Sequence, residues 1–363
     1  MSAYNESGVN YDVLDAAKRR SLAAAAATLQ LPKGRGAVLS PGSLGEPATL
    51  LEVDGVTLAF VLECLGTKSM IARELEDETG VDHFEAIGYD TVAAVVNDLC
   101  CVGALPIVVN AYVATGSAGW YDGTRHSSLV AGWLRACVDA GAAWGGGESP
   151  TLGGLVVAGE VDLAGSAIGR VPSGRRPWQA NALQPGDEIV LVASNGLHAN
   201  GASLARRVAR GLAGGWSSLL PGGRRLGEAV LDPSVLYVSL VERLLECDLP
   251  VRYASHITGH GLRKLMRANR ELTYRVELLP EVPEVLQFLS SHARLSAREA
   301  YGTFNMGAGF AMFVAPGAGE DVVVAAEATG HLAVVAGRVE AGRRRVVLEP
   351  IGESFDAGEL ELR

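Results

Sequence analysis

Residues 188–201 read E-I-V-L-V-A-S-N-G-L-H-A-N-G. After Glu188 the next five are apolar in the manner of a buried strand, and the eight that follow, Ser194 to Gly201, form a glycine-bearing turn into a helical segment at 202–212. A strand that turns through glycines into a helix leaves the first helical N–H groups without intrahelical partners. Those donors lie at the positive end of the helix dipole and favour a phosphate or a developing oxyanion. The same order recurs further on: a strand at 253–257, the turn T-G-H-G from Thr258 to Gly261, and a helix expected over 261–269. Gly196, Asn200, Gly201, Thr258 and Gly259 are therefore candidate phosphate contacts. His198 and His256 lie in or beside the two turns, where either can donate to a phosphate or move a proton. The chain contains no G-x-x-x-x-G-K-[ST], so these turns are not a P-loop.

Outward from these turns, strands at 273–278, 309–314 and 333–339 alternate with helices at 234–247, 282–292 and 320–329, which predicts an α/β domain. Residues 172–185 are basic, polar and proline-bearing, and mark a domain boundary. Before it, an alanine-rich helix at 12–29 leads into a Gly/Pro/Ser-rich loop at 34–45. Strands at 49–53 and 57–62 flank Asp54-Gly55, a hairpin signal. A helix at 89–102, a strand at 107–114, a helix at 123–142 and one or two strands within 154–171 complete the first half.

That half carries an acidic constellation. Glu63 ends a strand and precedes Gly66-Thr67-Lys68; Asp90, Asn97 and Asp98 project toward one side of a helix; Glu148 follows Gly145, Gly146 and Gly147 in an expected loop. Carboxylates flanked by glycines suit Mg2+ that also holds nucleotide phosphates, and Lys68 would neutralise phosphate charge. The competing reading, solvated acids and helix caps, is weakest for Asp98, because Leu99 to Val102 after it are apolar and an unpaired buried charge is costly.

At 363 residues the chain can bury two cores, and 48% hydrophobic residues against 20% charged ones mark a compact protein rather than a disordered one. A net charge of -10 argues against general nucleic-acid binding while leaving small anionic ligands open. The five cysteines (Cys64, Cys100, Cys101, Cys137, Cys247) show no metal-ligand spacing and read as thiols in a reducing compartment. The opening M-S-A-Y-N-E-S lacks a signal-peptide pattern, and no apolar run reaches the ~20 residues of a membrane span, so a cytoplasmic protein is expected.

Seven motifs occur in one order: N-D-L (Asn97 to Leu99) with G-A-x-P (Gly103 to Pro106), A-T-G (Ala114 to Gly116), G-G-E (Gly146 to Glu148), G-L-H-A-N-G (Gly196 to Gly201), H-I-T-G (His256 to Gly259) and T-F-N-M-G (Thr303 to Gly307). Together they resemble the aminoimidazole ribonucleotide synthetase (phosphoribosylformylglycinamidine cyclo-ligase) superfamily. The resemblance implies an N-terminal α+β domain whose strands join a partner's in a dimeric barrel, and a C-terminal α/β sandwich. It implies ATP and Mg2+, phosphorylation of an amide-type oxygen on a small, phosphorylated substrate, and ring closure. Carried over by position, it assigns Lys68, His198 and His256 to catalysis. Lys68, Asp90, Asn97, Asp98, Gly146 and Gly147 fall to ATP, and Glu63, Asp98 and Glu148 to metal. Asn305 joins the substrate turn or is structural.

The pattern is not complete. Glu63 stands for an aspartate, Cys64-Leu65 for Gly-Val, Thr151 for a second glutamate, Leu105 and Asn110 for acids, and His260 for a glycine of the phosphate turn. A divergent ATP-dependent kinase or dehydratase, and a non-catalytic nucleotide-binding relative, are the alternatives to a cyclo-ligase. The expected division is residues 1–45 as helix and loop, 46–171 as the Mg-ATP and dimerisation domain, 172–350 as the substrate domain, and 351–363 as a tail.

Overall fold

The structure, a computed structural model, describes residues 11–360. The chain opens with α1 (Tyr11–Ala26) and the short strand β1 (Ala37–Leu39). Strands β2 (Thr49–Val53) and β3 (Val56–Cys64) form the expected hairpin, with Asp54 and Gly55 both at positive φ (50° and 77°), as a two-residue turn between right-twisted strands requires. Next come α2 (Lys68–Thr79), α3 (Phe84–Cys100), β4 (Leu105–Thr115), α4 (Thr124–Asp139), β5 (Ala143–Glu148) and β6 (Val161–Arg170). Their six-stranded sheet has the order β1-β2-β3-β6-β4-β5, antiparallel except for the β4–β5 pair that α4 connects.

One face of this sheet is packed and the other is open. Along β3, Ala59 and Val61 are buried while Phe60 and Leu62 are exposed, and β6 alternates in the same way. Helix α3 covers the packed face, and most of its residues from Phe84 to Cys100 are buried because α4 and the second half of the chain also lie against it.

The second half contains β7 (Glu188–Ala193), α5 (Ala202–Gly211), α6 (Leu226–Val230), α7 (Val238–Glu246), β8 (Val251–His256), β9 (Leu272–Val276), α8 (Glu284–His292), α9 (Ala297–Tyr301), β10 (Ala308–Val314), α10 (Gly319–Ala328), β11 (Ala333–Ala341), β12 (Arg345–Leu348) and β13 (Glu353–Asp356). Seven strands pair in the order β13-β12-β9-β11-β7-β10-β8. The mixed α/β content is the expected one, but of these pairs only β9–β12 is parallel. Strands β10 and β11, far along the chain, return to flank β7 on both sides, so alternation in sequence did not produce a parallel sheet. Every residue of the interior strand β10, between β7 and β8, is buried, which explains its unbroken apolar run.

Several expectations change. Residues 143–148 are the edge strand β5, not a loop, and 154–160 lie outside any strand. The helix expected over 261–269 is a 3-10 turn, Gly261–Met266. The described part of the expected tail is no tail: Glu353–Asp356 pairs with β12 and buries Phe355, while residues 361–363 lie outside the described residues. Among the described residues no helix is long and apolar enough to cross a membrane.

Candidate functional site

The two halves meet along α3, and polar side chains fasten the seam. Asn97 donates through Nδ2 to the Val235 carbonyl (2.8 Å) and accepts at Oδ1 from the Tyr237 N–H (2.9 Å). The Ser234 N–H donates to Asp90 Oδ1 at 2.6 Å, and the Thr67 and Ser203 hydroxyls lie 3.1 Å apart. A cavity of about 810 Å³ opens at this seam. Its walls are the end of β3, one side of α3, the turn at 194–201, the turn after β8, and one face of α1.

The first half contributes carboxylates. Alternation along β3 puts Glu63 on the face that α3 covers, where Asp98 projects from the last turn of that helix. Solvent reaches Glu63 through the cavity, yet the walls enclose it on most sides. That enclosure, followed by the Asp98 charge and opposed by Lys264 and Arg267, pushes its carboxyl up to about 7. The Glu63 and Asp98 carboxylates line the same cavity, and their donor set fits one hard divalent ion whose remaining ligands are phosphate and water. Among the described residues no group of three or more His, Cys, Asp or Glu is gathered to hold a metal. Asp98 is also half committed, since its Oδ1 lies 2.8 Å from His256 Nδ1.

The second half contributes donors. Helix α5 begins after Gly201, whose φ of 94° and contact with the Phe304 ring leave no room for a Cβ. The first bond into this helix runs from the Ala205 N–H to the Gly201 carbonyl, so the amides of Ala202, Ser203 and Leu204 precede it, and Ala202 and Ser203 line the cavity. His198, beside them, is held well below its usual pKa by burial first and then by His256 and Lys68. It is neutral. Its Nε2 lies 3.0 Å from Asn195 Oδ1, while Nδ1 is buried without a protein partner. The Val235 N–H also donates toward that Nε2, at 3.5 Å.

Of the residues singled out in the sequence, the structure brings Glu63, Asn97, Asp98, His198, Asn200, Gly201, His256, Thr258 and Gly259 to this one cavity. Others it places elsewhere. Lys68 and Asp90 do not face the cavity: both are fully buried and form an ion pair with each other, so the lysine expected at a phosphate instead joins α2 to α3. Breaking a buried pair of this kind costs about 3–5 kcal/mol, because the remaining charge is left unpaired. Gly146, Gly147 and Glu148 lie on the exposed edge strand β5. In the ladder Cys64↔Ala164↔Tyr112↔Glu148, Glu148 shares a face with Cys64 and stands three strand spacings, ~14 Å, away from it. It therefore points away from the face of Glu63, and the three expected metal ligands are not gathered within one chain. Gly196 and Asn305 are structural. The Asn305 side chain accepts from Ser194 Oγ (2.7 Å) and the Gly307 N–H (3.0 Å) and donates to the Gly196 carbonyl (2.8 Å), which locks the turn from behind.

Some lining residues went unread in the sequence. Lys264 and Arg267 follow the turn after β8, and Lys18 projects from α1. His260, at φ 72°, has Nε2 3.3 Å from Asp15 Oδ2 on α1. Burial, then the charges of Lys264, Arg263 and Lys18, push its pKa down to about 2, so this contact is a hydrogen bond from a neutral imidazole and not an ion pair. The cationic spacing Arg263-Lys264…Arg267 after the glycine turn was the available signal.

Comparison with known proteins places this geometry. A family model described as AIR synthase related protein, N-terminal domain, matches residues 45–171, and its C-terminal counterpart matches residues 184–349. The phosphoribosylformylglycinamidine cyclo-ligase of Carboxydothermus hydrogenoformans is 33% identical over 307 residues, covering 84% of each chain. The protein of the same name from Methanothermobacter thermautotrophicus is 31% identical over 370 residues, covering 100% of this chain and 97% of that one. Among solved structures, hydrogenase maturation protein HypE in complex with ATP superposes with a TM-score of 0.60 at 17% identity, covering 82% of this chain and 83% of that one.

Proposed function

The chain belongs to the AIR synthase related protein family, and from that premise we propose that it is an ATP-dependent cyclo-ligase, acting as the name of its cyclo-ligase relatives states. In this reading ATP phosphorylates the formamide oxygen of formylglycinamidine ribonucleotide. An amidine nitrogen attacks the activated carbon, the imidazole ring closes, and ADP and phosphate leave. The observation that carries the reading is the cavity at the seam, where two carboxylates of one half face the open helix end of the other.

Glu63 and Asp98 would hold Mg2+, which when bound neutralises phosphate charge. The chain's own groups do the rest. The amides at the start of α5 receive the phosphoryl oxygens, fixed donors that need no reorganisation as charge develops. His198, held neutral by burial beside those amides, borders the cavity in which the attacking nitrogen releases its proton. Asp98, through Nδ1 of His256, fixes the orientation of that second ring. Residues 46–171 serve as the nucleotide and dimerisation domain and residues 172–350 as the acceptor domain. A second copy of the chain covers the open sheet face that carries Phe60, Leu62 and Ile168. All five cysteines are free thiols, as suits a cytoplasmic biosynthetic enzyme.

The test is direct. With MgATP and formylglycinamidine ribonucleotide, the protein is expected to form ADP, phosphate and aminoimidazole ribonucleotide in equal amounts, read by a coupled ADP assay and mass spectrometry. ATP consumption only with a different amide or carboxylate acceptor would move the reading to a kinase or dehydratase. Failure to bind MgADP in calorimetry would make the chain a non-catalytic relative.

A further inference from the structure

The lysine that sequence places at the phosphate is withdrawn into the α2–α3 interface, which leaves the question of what cation the cavity itself presents. The wall formed by the turn after β8 answers it with Lys264. This side chain lines the cavity, the residue is 8% exposed, and its ammonium donates to Thr258 Oγ1 at 2.9 Å. Among the described residues that is its one side-chain hydrogen-bond partner, and no ion pair forms with it. An ammonium has three N–H donors and one is used. Burying such a group without full pairing is costly, and a fold keeps it only where something else supplies the missing partner.

Its surroundings point the same way. Burial and then the Arg267 charge press the Lys264 ammonium down to about 8, while Asp98 and Glu63 pull against that shift from across the cavity without touching it. Arg267 is engaged elsewhere: its Nη2 donates to the Gly45 carbonyl at 2.9 Å and its Nε lies 3.6 Å from Glu46. Thr258 and Gly259, which line the cavity beside Lys264, form the turn that the sequence marks for an anion. An incoming oxyanion would take the open N–H groups of Lys264 and complete its pairing.

We propose that Lys264 is the phosphoryl-binding cation of this cavity and holds the phosphate ester of the acceptor. The inference rests on the cyclo-ligase reading in one respect, that the acceptor is phosphorylated. Two sources could supply the phosphoryl group, the acceptor ester and the nucleotide, and the experiment separates them.

Calorimetry on wild type, Lys264→Gln and Lys264→Arg uses ribose 5-phosphate for the ester, ribose as its uncharged control and MgADP for the nucleotide. Lys264→Gln is expected to weaken ribose 5-phosphate at least tenfold, Lys264→Arg to restore it to within about threefold, and MgADP to change less than twofold in either. If Lys264→Gln does not fold, Lys264→Met, which also removes the charge, takes its place. Equal ribose 5-phosphate affinity in wild type and the uncharged variant would overturn the proposal and reduce Lys264 to a counter-ion of the acidic wall. So would wild type that binds ribose 5-phosphate no better than ribose. Loss of MgADP with ribose 5-phosphate intact would assign the lysine to the nucleotide and overturn it equally. Because these are binding measurements, they fail or succeed independently of imidazole formation, which alone decides the cyclo-ligase reading.

Discussion

Asp98 combines two tasks that one substitution can separate. Its Oδ1 accepts from His256, and its charge bears on Glu63 across the cavity. Asp98→Asn keeps an oxygen for His256 and removes the charge. Stability is therefore expected to change by less than about 1 kcal/mol in urea, while MgATP-dependent turnover falls about a hundredfold or more. Normal turnover in that variant would take Asp98 out of the metal site. His260 yields a pH prediction. Unfolded, a histidine titrates near 6.5; folded, His260 stays neutral down to about 2. The unfolded chain thus takes up the proton first, so the stability held by this group is present above pH 6.5 and is lost as the pH falls toward 2, by about 1.4 kcal/mol per unit. His260→Gly removes that dependence and gives the φ of 72° to a residue without a Cβ. Urea unfolding at pH 7.5, 6.5 and 5.5 should show the wild type losing about 1 kcal/mol more than the variant over the last unit. Parallel slopes would mean that the imidazole is not held neutral.

The seam depends on where α3 lies, and α3 is set by its close approach to α4. A Cβ at Gly132 of α4 would overlap the Glu85 carbonyl oxygen of α3, so Gly132→Ala must push the helices apart. The expected cost is about 1–3 kcal/mol in urea unfolding, with a parallel loss of turnover because Asp98 rides on α3. Loss of stability without loss of activity would show that the cavity tolerates a moved helix. Which elements could be read beforehand follows from where their determinants lie. Asp54-Gly55 and the turn at 194–201 are dictated locally, by positive φ and by glycine, and both were legible. Strand β5, A-W-G-G-G-E, has no period of its own and exists through its ladder with β4, so it read as a loop. The destination of Lys68 is fixed by Asp90, which is in turn held by Ser234 far along the chain, and nothing beside Lys68 discloses it. Lys264 escaped notice for the opposite reason: its basic neighbours resemble a solvated helix face until the 3-10 turn directs the side chain inward.

At the scale of the molecule, the six-stranded sheet is finished on one face only. Phe60 (43% exposed), Leu62 (68%) and Ile168 (39%) lie on its open side, and Phe60 is directly paired with Ile168 across β3 and β6. Scattered apolar residues need no explanation, but a cluster on adjacent strands of a flat face marks an interface. The face lies opposite the one that carries Glu63, so covering it would join two chains while leaving each cavity at its own seam. Light scattering after size exclusion should therefore give twice the mass of one chain for the wild type. Phe60→Glu combined with Leu62→Glu would place charges of like sign on both sides of a self-complementary interface, where each opposes its own copy and desolvation adds to the cost. The double variant is expected to run as a single chain of 37.8 kDa at micromolar concentration, with the far-UV circular dichroism of the wild type because neither side chain is part of the packed core. A wild type that already runs at the single-chain mass would leave this face to some other cover, and the dimeric part of the proposed function would fall with it.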